Sequence, residues 1–217
     1  ISGSRGIRRE QQEVPSRTQR VARSVRHVTE NRPLLVFLIG YFLVASGGVI
    51  YGNVLPLFAS DEVGLTPEQW GYALSAFLLA TLVSFWFWGV FLDRFGAPLT
   101  VLICWGAMGV AMGAVFFARS WPAFLVLVGV RGLFMSGNIL AFFPIVMHFT
   151  ESADTIRGMG LHFSLWGLRW VTMPLLVALV VDGGLFPMHY LFPVSLALVA
   201  IGVATMGRVW WRERATE

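Results

Sequence analysis

The polypeptide has 217 residues, 56% of them hydrophobic and only 13% charged, with a formal net charge of +4 and a mean hydropathy of +0.70. A soluble domain would carry roughly a quarter charged residues. The apolar excess falls in runs of the ~20 residues that cross a bilayer, too long and too continuous for barrel strands. The composition therefore excludes a soluble fold, and the basic excess does not mark a nucleic-acid partner, because it is distributed by membrane topology. All sixteen basic residues are arginine, and the single cysteine, Cys104, lies inside an apolar run with no second thiol to pair with.

Residues 1–33 are polar, carry eight arginines and read as a cytoplasmic basic linker. Arg17, Arg20, Arg23 and Arg26 recur every three residues while Val21, Val25 and Val28 line another face. That pattern suits either a short amphipathic helix on anionic lipid or a solvated linker; residues 1–16 are expected to be disordered. The sequence begins at Ile1 with no signal peptide ahead of it, so it reads as a piece of something longer or a processed product.

Six apolar runs follow, a transmembrane bundle expected over residues 34–211 with a cytoplasmic tail at 212–217. Helix 1 spans about Leu34–Phe58 and is entered through Pro33. An acidic loop, Asp61–Glu68, ends in Thr66-Pro67, an N-cap and first helical position. Helix 2 spans about Glu68–Phe91, and a loop holding Asp93 and Arg94 between Gly89 and Gly96 leads to helix 3, about Pro98–Ala118. A short Arg119–Trp121 connection makes helices 3 and 4 an antiparallel hairpin, helix 4 running over about Pro122–Phe149. Helix 5 covers about Gly158–Val181 and helix 6 about Met188–Trp211.

Thirteen of the sixteen arginines fall on one side of this arrangement, in residues 1–33, the Asp93-Arg94 loop, the Glu151–Arg157 loop and the C-terminal end. The positive-inside rule puts that side, and both termini, in the cytoplasm. Gly48 and Gly52, and Gly109 and Gly113, are small-xxx-small pairs suited to close helix approach. Pro56, Pro144, Pro174 and Pro193 lie within or near helix ends and can kink them.

The stretch Gly89-x-x-x-Asp93-Arg94-x-Gly96, placed between the second and third of six apolar helices, resembles the cytoplasmic loop signature of the major facilitator superfamily. Ala97 and Pro98 stand where the family's pattern has two further basic residues, a weaker form found in the second half of the family's members. The loop at Val63–Thr66, Arg131 deep in helix 4, the basic lead-in and the charged tail fit the same half. Met135, where the family's helix-4 pattern has glycine, departs from it, and Gly167 to Pro174 does not match the signature of its drug antiporters. The resemblance implies an all-α membrane protein: a C-terminal six-helix half made of two inverted three-helix repeats. It further implies that helices 1 and 4 line a cavity, 2 and 5 meet a second six-helix half, and 3 and 6 face lipid.

Polarity along the helices agrees with that assignment. Helix 1 carries Tyr41, Ser46, Tyr51 and Asn53; helix 4 carries Arg131, Met135, Asn138 and Phe142 on one face; helix 5 carries His162, Trp166, Arg169, Trp170 and Met173 on one face. Arg131 and Arg169 lie roughly 13–17 Å from their helix ends, near mid-bilayer, where an arginine costs about 2.5–3.5 kcal/mol on the lenient insertion scale. No Asp or Glu in the six helices shares that depth. Carboxylates of another half, carbonyls freed near Pro144 or Pro174 together with cavity water, or an anionic substrate would each answer the charge.

The candidate substrate residues are therefore Arg131, Asn138, Arg169, Tyr41, Asn53 and Trp166. By resemblance, Asp93, Arg94, Gly89 and Gly96 form a gating element in which the aspartate meets a helix N-terminus of the other half; an ordinary solvated turn pair is the alternative. His148 and His162 are expected as solvated interfacial histidines, with proton carriage the rarer role. No metal-spaced cluster, nucleophile triad or phosphate loop points to an enzyme or a cofactor. The expected function is secondary transport of a small solute, an anion among the candidates, by alternating access in a bacterial inner membrane. A non-transporting assembly subunit of a larger membrane complex is the alternative.

Overall fold

The computed structural model describes residues 31–150 and 155–214, and all the regular structure among them is helical. The expected basic linker and its amphipathic helix lie outside the described residues, as do most of the Glu151–Arg157 loop and the last three residues of the tail. The helices are α1 (Arg32–Asp61), α2 (Pro67–Phe95), α3 (Ala97–Ala114, extended by a 3-10 turn, Val115–Phe117), α4 (Trp121–His148), α5 (Thr155–Asp182) and α6 (Leu191–Arg214, preceded by a 3-10 turn, Met188–Tyr190). All six carry windows long and apolar enough to cross a membrane.

The helix starts are encoded locally. Asn31 caps α1 by accepting from the Leu34 amide at 3.1 Å, and its Nδ2 donates to the Phe149 carbonyl at 3.0 Å, fastening the start of α1 to the end of α4. Thr66 caps α2 in a reciprocal box with Gln69. The stretch containing Asp93 and Arg94 is not a loop. It is the last turn of α2, and only Gly96, at φ +79° and ψ 168°, breaks the chain before α3. Arg94 is a good helix former and sits favourably at the negative helix end, which carries the helix past the apolar run. Gly89 is a helical residue with open space where a Cβ would be, not a turn residue.

Two packing seams dominate. Between α2 and α4 the seam is polar at its centre: the Thr81 hydroxyl donates to the Gly132 carbonyl at 3.0 Å, Ser84 and Ser136 pair at 2.7 Å, and Trp88 Nε1 donates to the Leu133 carbonyl at 2.7 Å. Between α1 and α6 the backbones nearly touch, since a Cβ on Gly202 would lie 2.5 Å from the Gly40 carbonyl oxygen. The Gly109/Gly113 pair serves close approach as expected, against Val199 and Leu196 of α6, whereas Gly48 and Gly52 face open space and serve no seam among the described residues. α5 rests on α1, with few contacts to the other helices.

α3 departs from the lipid-facing role. It turns Val110 and Phe117 outward, but its other side is wedged between α4 and α6, and more than half of its apolar window is buried. α2 and α5 are the least covered helices. At one end of the bundle, His189 Nδ1 lies 2.9 Å from Glu62 Oε1, joining the end of α1 to the turn before α6. The core and the seams leave a hollow against α1, enclosed by α3, α4 and α5.

Candidate functional site

A cavity of about 420 Å³ opens between α1, α3, α4 and α5, within the size range of small-molecule sites. Tyr41 and Asn53 of α1, Arg131 and Asn138 of α4, and Trp166 and Arg169 of α5 all line it, so the six residues singled out for polarity at helical spacing converge on one space. Gly48 and Gly52 form an open stretch of the α1 wall. α3 supplies Trp105, Met108 and Met112. These α3 residues were missed, although their spacing of three and four marks one helix face; apart from the Trp105 indole N–H, that face is as apolar as most of the helix.

Each arginine reaches the cavity from behind an aromatic ring. The Arg131 guanidinium carbon stands 4.9 Å from the Tyr51 ring centre and 5.2 Å from that of Phe77. That of Arg169, a residue only 1% exposed, stands 4.9 Å from the Tyr41 ring and 6.0 Å from Phe42. The ring faces answer the charge question in a way that acids, carbonyls and substrate did not anticipate. A desolvated cation–ring contact contributes about 2 kcal/mol, on the scale of the cost of a central arginine, but a ring face does not satisfy N–H groups held in the guanidinium plane. Arg131 Nε, and Arg169 Nε and Nη1, are buried with no hydrogen-bond partner among the described residues. Among the described residues, no carboxylate lines the cavity.

The remaining polar groups are placed by their neighbours. Asn138 Oδ1 accepts from Trp105 Nε1 at 2.7 Å, which ties α4 to α3 and leaves the amide nitrogen of Asn138 as a donor. Asn53 Nδ2 donates to the Val49 carbonyl at 2.8 Å, leaving its own oxygen as an acceptor. Trp166 and Trp170 pack on each other at 5.9 Å and are about half exposed.

His162 is not a solvated interfacial residue. It is 0% exposed, its ring lying 4.1 Å from Tyr41, 4.5 Å from Phe142 and 6.3 Å from Phe37. The α5 helix starts at Thr155, earlier than the apolar run suggested, and that carries position 162 two turns inside the helix and against α1. His148 is exposed at the end of α4.

The four candidate gating residues are not part of this site. Asp93 and Arg94 are exposed at the far end of α2; Arg94 lies over Phe95 at 5.3 Å, and Asp93 has no side-chain partner among the described residues.

A family model described as Major Facilitator Superfamily matches residues 37–217, from early in α1 to the end of the chain. The chain belongs to the major facilitator superfamily. Its six helices are those of a facilitator half, in an integral membrane protein that meets the lipid bilayer directly. Facilitators are secondary transporters of small molecules rather than enzymes, and this facilitator is assigned to that broad class. No curated protein sequence matches it.

Proposed function

We propose that this facilitator half carries a small anionic solute through the cavity, with Arg131 and Arg169 as the anion-binding groups. One observation carries the reading: two guanidinium groups line a single cavity with buried N–H groups unpartnered and no carboxylate among the lining residues. Planar, permanently charged guanidinium suits carboxylate or phosphate. Asn138 and Asn53 add a neutral donor and an acceptor for orientation, and Tyr41 and Trp166 enclose the solute.

Transport then proceeds by alternating access against a second six-helix half, on the same longer chain or on a separate subunit, seated over the exposed faces of α2 and α5. The packing pattern supports two inverted repeats: α1 against α6 mirrors α4 against α3, and α2 against α4 mirrors α5 against α1. Asp93, exposed and unpartnered among the described residues, is free to meet a helix N-terminus of that second half as a gate, and Arg94 is held beside it by the last turn of α2. The arginine bias supports an orientation with both termini in the cytoplasm, and the membrane we propose is a bacterial inner membrane.

Uptake into proteoliposomes by the intact native polypeptide, compared with Arg131→Ala and Arg169→Ala, tests the assignment. Loss of a charged hydrogen-bonding partner should raise the apparent Km for an anionic solute about tenfold or more. Unchanged apparent affinity in both variants would remove the substrate role.

A further inference from the structure

We infer that the solute is an elongated dianion, two anionic heads joined by an apolar spacer, with one head on Arg131 and the other on Arg169. The inference rests on the anion reading and deepens it to a substrate class. Its starting point is where the two guanidinium groups are held. Arg169 stands over Tyr41 and Arg131 over Tyr51, each at 4.9 Å. These rings belong to one helix, and no proline lies between them, since the only proline inside α1 after its first turn is Pro56. Ten residues of straight helix advance about 15 Å. The tyrosines that support the two cations are therefore spaced along the cavity wall, which offers the two guanidinium groups at different levels of α1.

Between them the wall changes character. Val44, Ala45 and Gly48 lie between the two tyrosines on the cavity side of α1, with Met108 and Met112 of α3 also lining the space, and none of these carries a charge. Gly48 keeps the passage open, since even a Cβ there would meet nothing within 4 Å. A compact anion reaches one guanidinium at a time and leaves the other's N–H groups unmet. An extended molecule with an anionic group at each end meets both and lays its apolar spacer along the valine, alanine and methionine surface.

The intact native polypeptide in detergent, with Trp105, Trp166 and Trp170 of the cavity as fluorescent reporters, allows the test. It is titrated with α,ω-dicarboxylates of increasing length and with their monomethyl esters as matched monoanions. Affinity should rise with length from the shortest diacid to an optimum, within a separation bounded by the about 15 Å advance between the two tyrosines. The best diacid should bind about tenfold to a hundredfold more tightly than its monoester. Arg131→Gln and Arg169→Gln should each erase that advantage while the monoester still binds. The length series on the unaltered protein stands by itself if a variant does not fold. Equal binding of diacid and monoester, or tightest binding by the shortest diacid, would overturn the dianion and leave the anion reading intact. If no carboxylate of either kind binds, both fall.

Discussion

Arg131 and Arg169 are tolerated inside apolar helices because each guanidinium stands over a tyrosine ring while its side chain also lines the cavity. Tyr51 gives this account a clean test, because its hydroxyl is buried with no partner among the described residues. Tyr51→Phe keeps the ring and removes the orphan hydroxyl, so thermal unfolding should show a neutral or slightly stabilising change. Tyr51→Leu removes the ring and should cost roughly 1–2 kcal/mol in the same measurement. The polar residues of this site were readable from sequence because charge and amide groups stand out against hydrocarbon. The rings that support them were not, since aromatic residues are everywhere in these helices and only the fold says which one lies under which arginine. His162 was misread for a related reason: its place depended on where α5 begins, and an apolar run marks a helix end poorly.

At the scale of elements, Gly89 and Gly96 separate although the motif treats them alike. Gly96 occupies a region of backbone space that is essentially closed to other residues, so Gly96→Ala should destabilise by about 1–3 kcal/mol. Gly89 is helical and unobstructed, so Gly89→Ala should be neutral or stabilise by about 0.5–1 kcal/mol. Chemical unfolding of the two variants side by side measures both. The glycine stripes divide in the same way. Gly202 meets the α1 backbone and should not tolerate Leu, at a cost of about 3 kcal/mol or more as α1 and α6 are forced apart, whereas Gly48→Ala, like Gly89→Ala, should leave the melting temperature unchanged or slightly raised. Spacing alone identified candidate small faces. It could not tell a seam from a cavity wall, because both call for the absence of a side chain.

For the whole molecule, six spans and their alternation followed from hydropathy, and the family followed from a short motif at the right place in that pattern; the match over residues 37–217 bears out both. The position of α3 did not follow. In water, polarity distinguishes a buried face from an exposed one, but in a membrane the lipid-facing and core-facing sides are equally apolar, so Trp105, Met108 and Met112 looked no different from Val110 and Phe117. The central claim concerning the molecule is that α1, α3, α4 and α5 surround an aqueous solute site rather than a surface buried against a structural partner. The most direct measurement is labelling of Gly52→Cys in native membranes with a membrane-impermeant thiol reagent. Position 52 lines the cavity, accepts a Cβ without collision, and competes only with Cys104, which is fully buried. The account predicts that Cys at position 52 is labelled from water while Cys104 stays silent, and that an anionic solute slows the reaction. Labelling only by a lipid-soluble reagent, or none at all, would contradict it and favour the assembly-subunit role.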